Sequence, residues 1–121
     1  MVKNKKNLIG IVGPCKAGKT ALKRRLEAEG LTVRHIAQEH SYVKEMWKKI
    51  SNPDLLIYLD VSYETTLLRS SLGWSKSEYQ EQLRRLSHAR ENADLVIDTN
   101  HLNPDQISKI VLEFLNERQA E

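Results

Sequence analysis

Residues 8–20 read Leu8-Ile-Gly-Ile-Val12-Gly13-Pro14-Cys15-Lys16-Ala17-Gly18-Lys19-Thr20. A short apolar run rich in β-branched side chains stops at a glycine, and from Ala21 onward the spacing is helical, with Leu22 and Leu26 on the same side and Gly30 placed to end the helix. The stretch therefore reads strand, loop, helix. Its loop matches G-x-x-x-x-G-K-[ST] and lies where that pattern has a mechanism, between an apolar strand and the first turn of a helix. Gly13 and Gly18 permit backbone angles and close approaches that a Cβ hinders, so successive N–H groups can turn inward around a polyphosphate. The helix that follows adds its positive end. Gly13, Pro14, Cys15, Lys16, Ala17, Gly18, Lys19 and Thr20 are thus the expected phosphate cradle, with Lys19 set against the β- and γ-phosphates and the Thr20 hydroxyl on Mg²⁺. Cys15 is read as a small side chain tolerated by a loop that binds through its backbone.

Working outward, Thr32 to Ala37 predicts a second strand, too polar through Arg34 and His35 to be covered on both faces and so suited to a sheet edge. Tyr42 to Ile50 predicts a short helix on Val43, Met46, Trp47 and Ile50, closed by Ser51-Asn-Pro-Asp54. Leu55 to Leu59, ending in Asp60, is apolar without alternation, as in a strand covered by helices on both sides. Ser62 caps a helix carrying Leu67, Leu68 and Leu72, and Gly73 breaks it. Ser75-x-x-Glu78 then opens another, with Tyr79, Leu83, Leu86, Arg90 and Ala93 on one arc. An arginine there needs a partner. Asp94 to Asp98 is a further strand, and Asn103-Pro-Asp-Gln106 opens a final amphipathic helix through Ile107, Ile110, Val111, Phe114 and Leu115. Strands alternate with helices, so the expected fold class is α/β: three αβα layers around a small, about four-stranded, mostly parallel sheet with right-handed crossovers.

The chain has 121 residues, 40% of them apolar and 29% charged, which fits one soluble domain over residues 8–121 behind a flexible basic tail, residues 1–7. No apolar run approaches the roughly 20 residues of a membrane span and no secretory leader is evident, so no membrane partner and a cytoplasmic location are expected. The single cysteine excludes an intrachain disulfide and a Cys-rich metal site. A net charge of +3 is compatible with phosphate ligands. Lys3, Lys5 and Lys6 have no aromatic residues among them to stack bases, so a nucleic-acid partner is not expected.

Three segments together resemble the nucleoside- and nucleotide-kinase-like branch of the P-loop proteins: Gly13 to Thr20, Asp54 to Glu64 running on to Leu67-Leu-Arg69, and Ala93 to Thr99. The GTPase branch is disfavoured because neither Asp-x-x-Gly nor [Asn/Thr]-Lys-x-Asp occurs. The resemblance implies an ATP-binding protein that uses Mg²⁺ to transfer a γ-phosphoryl group to a small, unidentified acceptor of nucleoside or nucleotide type. Within it, Lys19 and Glu39 are the expected catalytic groups, and Arg69 matches the arginine that packs over the base. Thr20, Glu39 and Asp60 are the metal candidates: Asp60 ends an apolar strand, and Glu39 ends the strand expected on the other side of the loop. Arg84 and Arg85 read as a solvated basic face where a short lid would lie, and Arg90 as an ion-pair or site residue. His40 and Tyr42 are candidate acceptor contacts, with a structural role as the alternative. Trp47 reads as core, and Trp74 as the shield of a site or interface. Only residues 38–54 separate the second strand from Leu55, where such kinases carry a larger acceptor-clamping insertion and one more strand. Loss of that strand predicts a sheet order of 2-1-3-4. It also motivates a second reading, a nucleotide-binding regulatory module or slow NTPase whose site a partner completes, with self-association left open.

Overall fold

The computed structural model describes residues 8–71 and 73–120; the expected basic tail and Leu72 lie outside them. Four strands, β1 (Leu8–Val12), β2 (Thr32–His35), β3 (Leu55–Asp60) and β4 (Leu95–Asp98), form one sheet in the order β2-β1-β3-β4. All three pairings are parallel. The helices are α1 (Lys19–Ala28), α2 (Tyr63–Arg69), α3 (Lys76–Asn92) and α4 (Pro104–Ala120). No helix among the described residues is long and apolar enough to cross a membrane.

Strand alternation divides the core in two. Ile9 and Ile11 of β1 with Leu55, Ile57 and Leu59 of β3 face α1 and α4, where Leu22, Leu26, Ile107 and Val111 meet them. Val12, Leu56 and Tyr58 point to the opposite face and meet Leu86 and Ala89 of α3, with Trp47 beneath. Removing each such aliphatic side chain from water contributes about 1.5–3 kcal/mol. Central β3 is buried along Leu55 to Leu59, whereas edge strand β2 buries only Val33. At the amino ends of the strands, Asp54 and Asp94 each accept from a neighbouring strand's first amides, Leu8 N at 2.7 Å and Leu56 N at 2.8 Å.

The helix ends follow from their sequences. Gly30, at φ 86°, ends α1: its N–H donates to Glu27 O and that of Leu31 to Leu26 O, the paired bonds of a glycine-terminated helix. Ser75 and Glu78 form a reciprocal capping box on α3, and Asn103 and Gln106 do the same for α4.

Two expectations are corrected. The stretch 42–50 is not an α-helix; only a π-helical turn, Trp47–Ser51, forms there, closed by Asn52 N–H on Trp47 O at 3.1 Å. Pro53 disfavours right-handed helix at Asn52, which turns to φ 42°, and Gln38 Oε1 accepts Trp47 N–H at 2.8 Å. Trp47 is core as expected, while Val43 and Ile50 are exposed. In α2 the leucines do not carry the packing: Leu67 and Leu68 face solvent, and the buried residue is Thr66, whose hydroxyl donates to Tyr63 O at 2.6 Å and accepts from Trp74 Nε1 at 3.0 Å.

Candidate functional site

The loop between β1 and α1 lies at the carboxyl ends of the strands, where open parallel sheets bind ligands. Gly13 is packed so closely under β3 that a Cβ built on it would sit 2.3 Å from Leu59 O, at a φ of 154°. Gly13→Ala is therefore expected to destabilise the fold by about 2–5 kcal/mol, combining strained backbone with overpacking. Urea unfolding checks this, and a loss below about 1 kcal/mol contradicts it.

The amino end of α1 differs from those of the other helices. Ser62, Ser75 and Asn103 each accept a first-turn amide of α2, α3 and α4. At α1 the cap is Gly18, without a side-chain cap bond and without an acidic residue in the first turn. Amides and the positive helix end are thereby left for an anion from outside the chain.

Lys19 is 5% exposed, and its ammonium donates to Gly13 O at 2.6 Å and Pro14 O at 2.9 Å. It also pairs with Glu39 Oε2 at 3.1 Å. All three donors are satisfied, so a phosphate that engages Lys19 must take the place of one of these acceptors. Glu39 belongs to a single 3₁₀ turn, Gln38–His40, and is 3% exposed; its Oε1 finds no hydrogen-bond partner among the described residues. Buried Gln38 fixes the turn by donating to Val43 O and Arg85 O while accepting from Trp47. Arg85 adds a bond to Glu39 O at 3.4 Å and lies over the Tyr42 ring at 4.4 Å. Arg85 is thus a brace for the Glu39 turn and not the solvated residue expected, whereas Arg84 is solvated and pairs with Glu81.

A cleft of about 420 Å³ opens over the loop, lined by Cys15, Lys16, Gly18, Lys19, Thr20 and Ala21 with His35, Glu39 and Arg69. Arg69 donates to Lys16 O at 2.8 Å and to the Thr99 hydroxyl and carbonyl, tying the loop to the end of β4. Pro14 and Ala17 shape the turn, with Ala17 N–H on Pro14 O at 3.2 Å. Asp60 does not line this cleft. It shares a separate depression with Tyr58, Tyr79 and Arg90, its Oδ1 accepting Val61 N–H and its Oδ2 lying 3.5 Å from Arg90. The cause is alternation: Asp60 follows Tyr58 onto the α3 face. Arg90 is exposed and pairs with Asp60 at the surface, not inside the apolar arc where it was expected. Tyr42 is 85% exposed, and Trp74 stacks edge-on against Tyr79.

Sequence reading passed over Gln82. It lies in the apolar register of α3, is buried, and clamps the loop at two points, Oε1 accepting Cys15 N–H at 3.0 Å and Nε2 donating to Cys15 Sγ at 3.1 Å. A polar residue in an apolar stripe was the signal, because burial demands partners.

His35, on the cleft rim, has its pKa lowered from the ordinary 6.5 by desolvation and by the Lys19 ammonium, against the opposing charge of Glu39. The unfolded chain therefore binds a proton that the folded chain resists. Stability contributed through His35 is present above about pH 6.5 and is lost as pH falls through the lowered folded-state value. The acid-side slope of stability against pH should flatten in His35→Asn; an unchanged slope contradicts this assignment.

No protein-family model and no curated protein matches the chain. Solved structures do. YorR protein from Bacillus subtilis, crystallised in complex with phosphorylated GDP, superposes with a TM-score of 0.68 at 14% identity, covering 94% of this chain and 98% of that one. Shikimate kinase from Aquifex aeolicus superposes with a TM-score of 0.63 at 16% identity, covering 93% and 98%. At these identities the likeness speaks to architecture, and with the parallel sheet, the glycine-lined loop and the uncapped first helix it leads to one conclusion: the chain has the fold of the P-loop nucleoside- and nucleotide-kinase-like proteins.

Proposed function

We propose that the chain binds a nucleoside triphosphate with Mg²⁺ and transfers its γ-phosphoryl group to a small acceptor. The observation that carries this reading is the buried Lys19–Glu39 pair beneath the uncapped amino end of α1, with Thr20 on the same cleft. The α1 amides and the Lys19 ammonium receive the phosphate tail, and Arg69 offers a flat cation on the cleft wall for a base to stack against. As phosphate displaces the carboxylate from Lys19, Glu39 becomes available to accept a proton from an acceptor hydroxyl. The hard oxygen donors of Thr20 and Glu39, one carboxylate oxygen lacking a partner, fit a magnesium ion. When bound, that ion neutralises charge on the phosphates. Asp60, committed to Val61 and Arg90 outside this cleft, has no part in the reading.

ATP is the proposed donor. GTP belongs in the same experiment, because the YorR complex holds a guanine nucleotide. Labelled γ-phosphoryl from each is followed onto a panel of nucleosides, nucleotides, sugars and shikimate, and label on any acceptor supports transfer. Tight nucleotide binding with no labelled acceptor favours the second reading, a module completed by a partner or a second copy. Exposed Tyr42, Val43 and Ile50, in the short segment where an acceptor clamp would lie, support that alternative.

A further inference from the structure

We propose that Cys15, Glu39 and His40 form a site for a borderline-soft divalent cation of the zinc type, set against the phosphate loop. Thiol, carboxylate and imidazole ligand atoms from the three residues all lie within 4.8 Å of one another. Cys15 Sγ is 4.0 Å from His40 Nε2, which is 3.7 Å from Glu39 Oε2. Bonds of about 2.0–2.3 Å in a tetrahedron place neighbouring ligands roughly 3.3–3.8 Å apart, so the cluster needs adjustments of only tenths of an ångström at its measured edges.

A second observation points to the same place. Glu39 is 3% exposed and its Oε1 has no partner among the described residues, a deficit that a cation removes. The oxygen 3.7 Å from His40 is Oε2, which Lys19 also holds, so a turn of the carboxylate that brings Oε1 to the metal lets one carboxylate serve both ammonium and metal. Outer contacts are also in place: Gln82 Nε2 donates to the sulfur at 3.1 Å and Arg85 to the Glu39 carbonyl. A thiolate with an imidazole selects zinc over magnesium, which prefers oxygen ligands. The Cys15 thiol gives up its proton to solvent as the metal binds, the imidazole ligates in its neutral form, and water completes the fourth position.

The site shares Cys15 and Glu39 with the cleft of the proposed phosphoryl transfer, but its ligand set does not depend on that reading. One consequence rests on that reading: metal held between Cys15 and Glu39 ties both to one arrangement and opposes the exchange of partners that phosphate requires, so zinc and magnesium–nucleotide should compete.

The test uses the full chain without nucleotide, titrated with Co²⁺ alone and then with Zn²⁺. Binding of one Co²⁺ per chain is expected, with a thiolate charge-transfer band in the near ultraviolet that Zn²⁺ abolishes and millimolar Mg²⁺ does not. Cys15→Ser should remove the band. His40→Asn, at a position exposed enough to leave folding intact, should weaken binding at least tenfold. Absence of the band in the wild type, or equal affinity in wild type and His40→Asn, overturns the site. Zn²⁺ should also raise the apparent Kd for ATP at least tenfold, reversibly with a chelator. Undiminished ATP binding to the zinc-loaded chain overturns the competition. Failure of ATP to bind the zinc-free chain overturns the nucleotide reading instead and leaves the cobalt result standing.

Discussion

Lys19→Ala is expected to weaken nucleoside triphosphate binding about 10- to 150-fold, the factor that corresponds to one hydrogen-bonded charge of about 1.5–3 kcal/mol. The same substitution should lower folding stability. Glu39 is buried and Lys19 is its ammonium partner, so truncating the lysine leaves a carboxylate that is neither solvated nor paired. Removing one member of such a pair costs about 3–5 kcal/mol unless the survivor takes up a proton. Adding Glu39→Gln to Lys19→Ala should recover part of the stability but none of the affinity. Calorimetry with ATP and Mg²⁺, together with urea unfolding of both single variants and the double variant, checks each step. Equal affinity in wild type and Lys19→Ala contradicts the account.

Glu39→Gln should separate binding from turnover. The amide keeps the size of the carboxylate but neither competes with phosphate for Lys19 as a charge nor accepts a proton. Affinity for Mg²⁺-free nucleotide should hold or rise, while kcat for acceptor phosphorylation falls by about 10²- to 10⁴-fold, the usual contribution of a positioned general base. Because the loss falls on kcat and not on the nucleotide KM, steady-state kinetics distinguishes it from a damaged cleft. An unchanged kcat removes Glu39 from the proposed chemistry. A large rise in nucleotide KM with kcat intact assigns it to binding instead.

The parts of the fold that sequence reading captured are those set by neighbours along the chain. The strand, loop and helix from Leu8 to Ala28 follow from a local change of period, and the caps at Ser62, Ser75 and Asn103 from side chains three residues away. Arg34 and His35 marked β2 as an edge, and the order expected from the kinase-like resemblance with one strand lost is the order found, β2-β1-β3-β4. What escaped was settled by residues far apart in sequence. Gln82 reaches Cys15 across 67 positions, and Gln38 reaches Arg85 across 47. Leu67 and Leu68 had helical spacing without a partner surface, and Thr66 took the interior by satisfying its hydroxyl twice. Asp60 looked like a metal ligand at a strand end, yet the two-residue alternation of β3 carried it to the Arg90 side. Glu39 was reachable as a candidate because it follows β2. Its salt bridge to Lys19 depends on a 3₁₀ turn that no local pattern announced.

The most direct test of the central claim is isothermal titration of the wild-type chain with ATP and Mg²⁺, repeated with GTP and a pyrimidine triphosphate. One saturable site per chain is expected for at least one of them, weakened in Lys19→Ala. The absence of heat with every triphosphate, from a chain shown by circular dichroism to be folded, would contradict it.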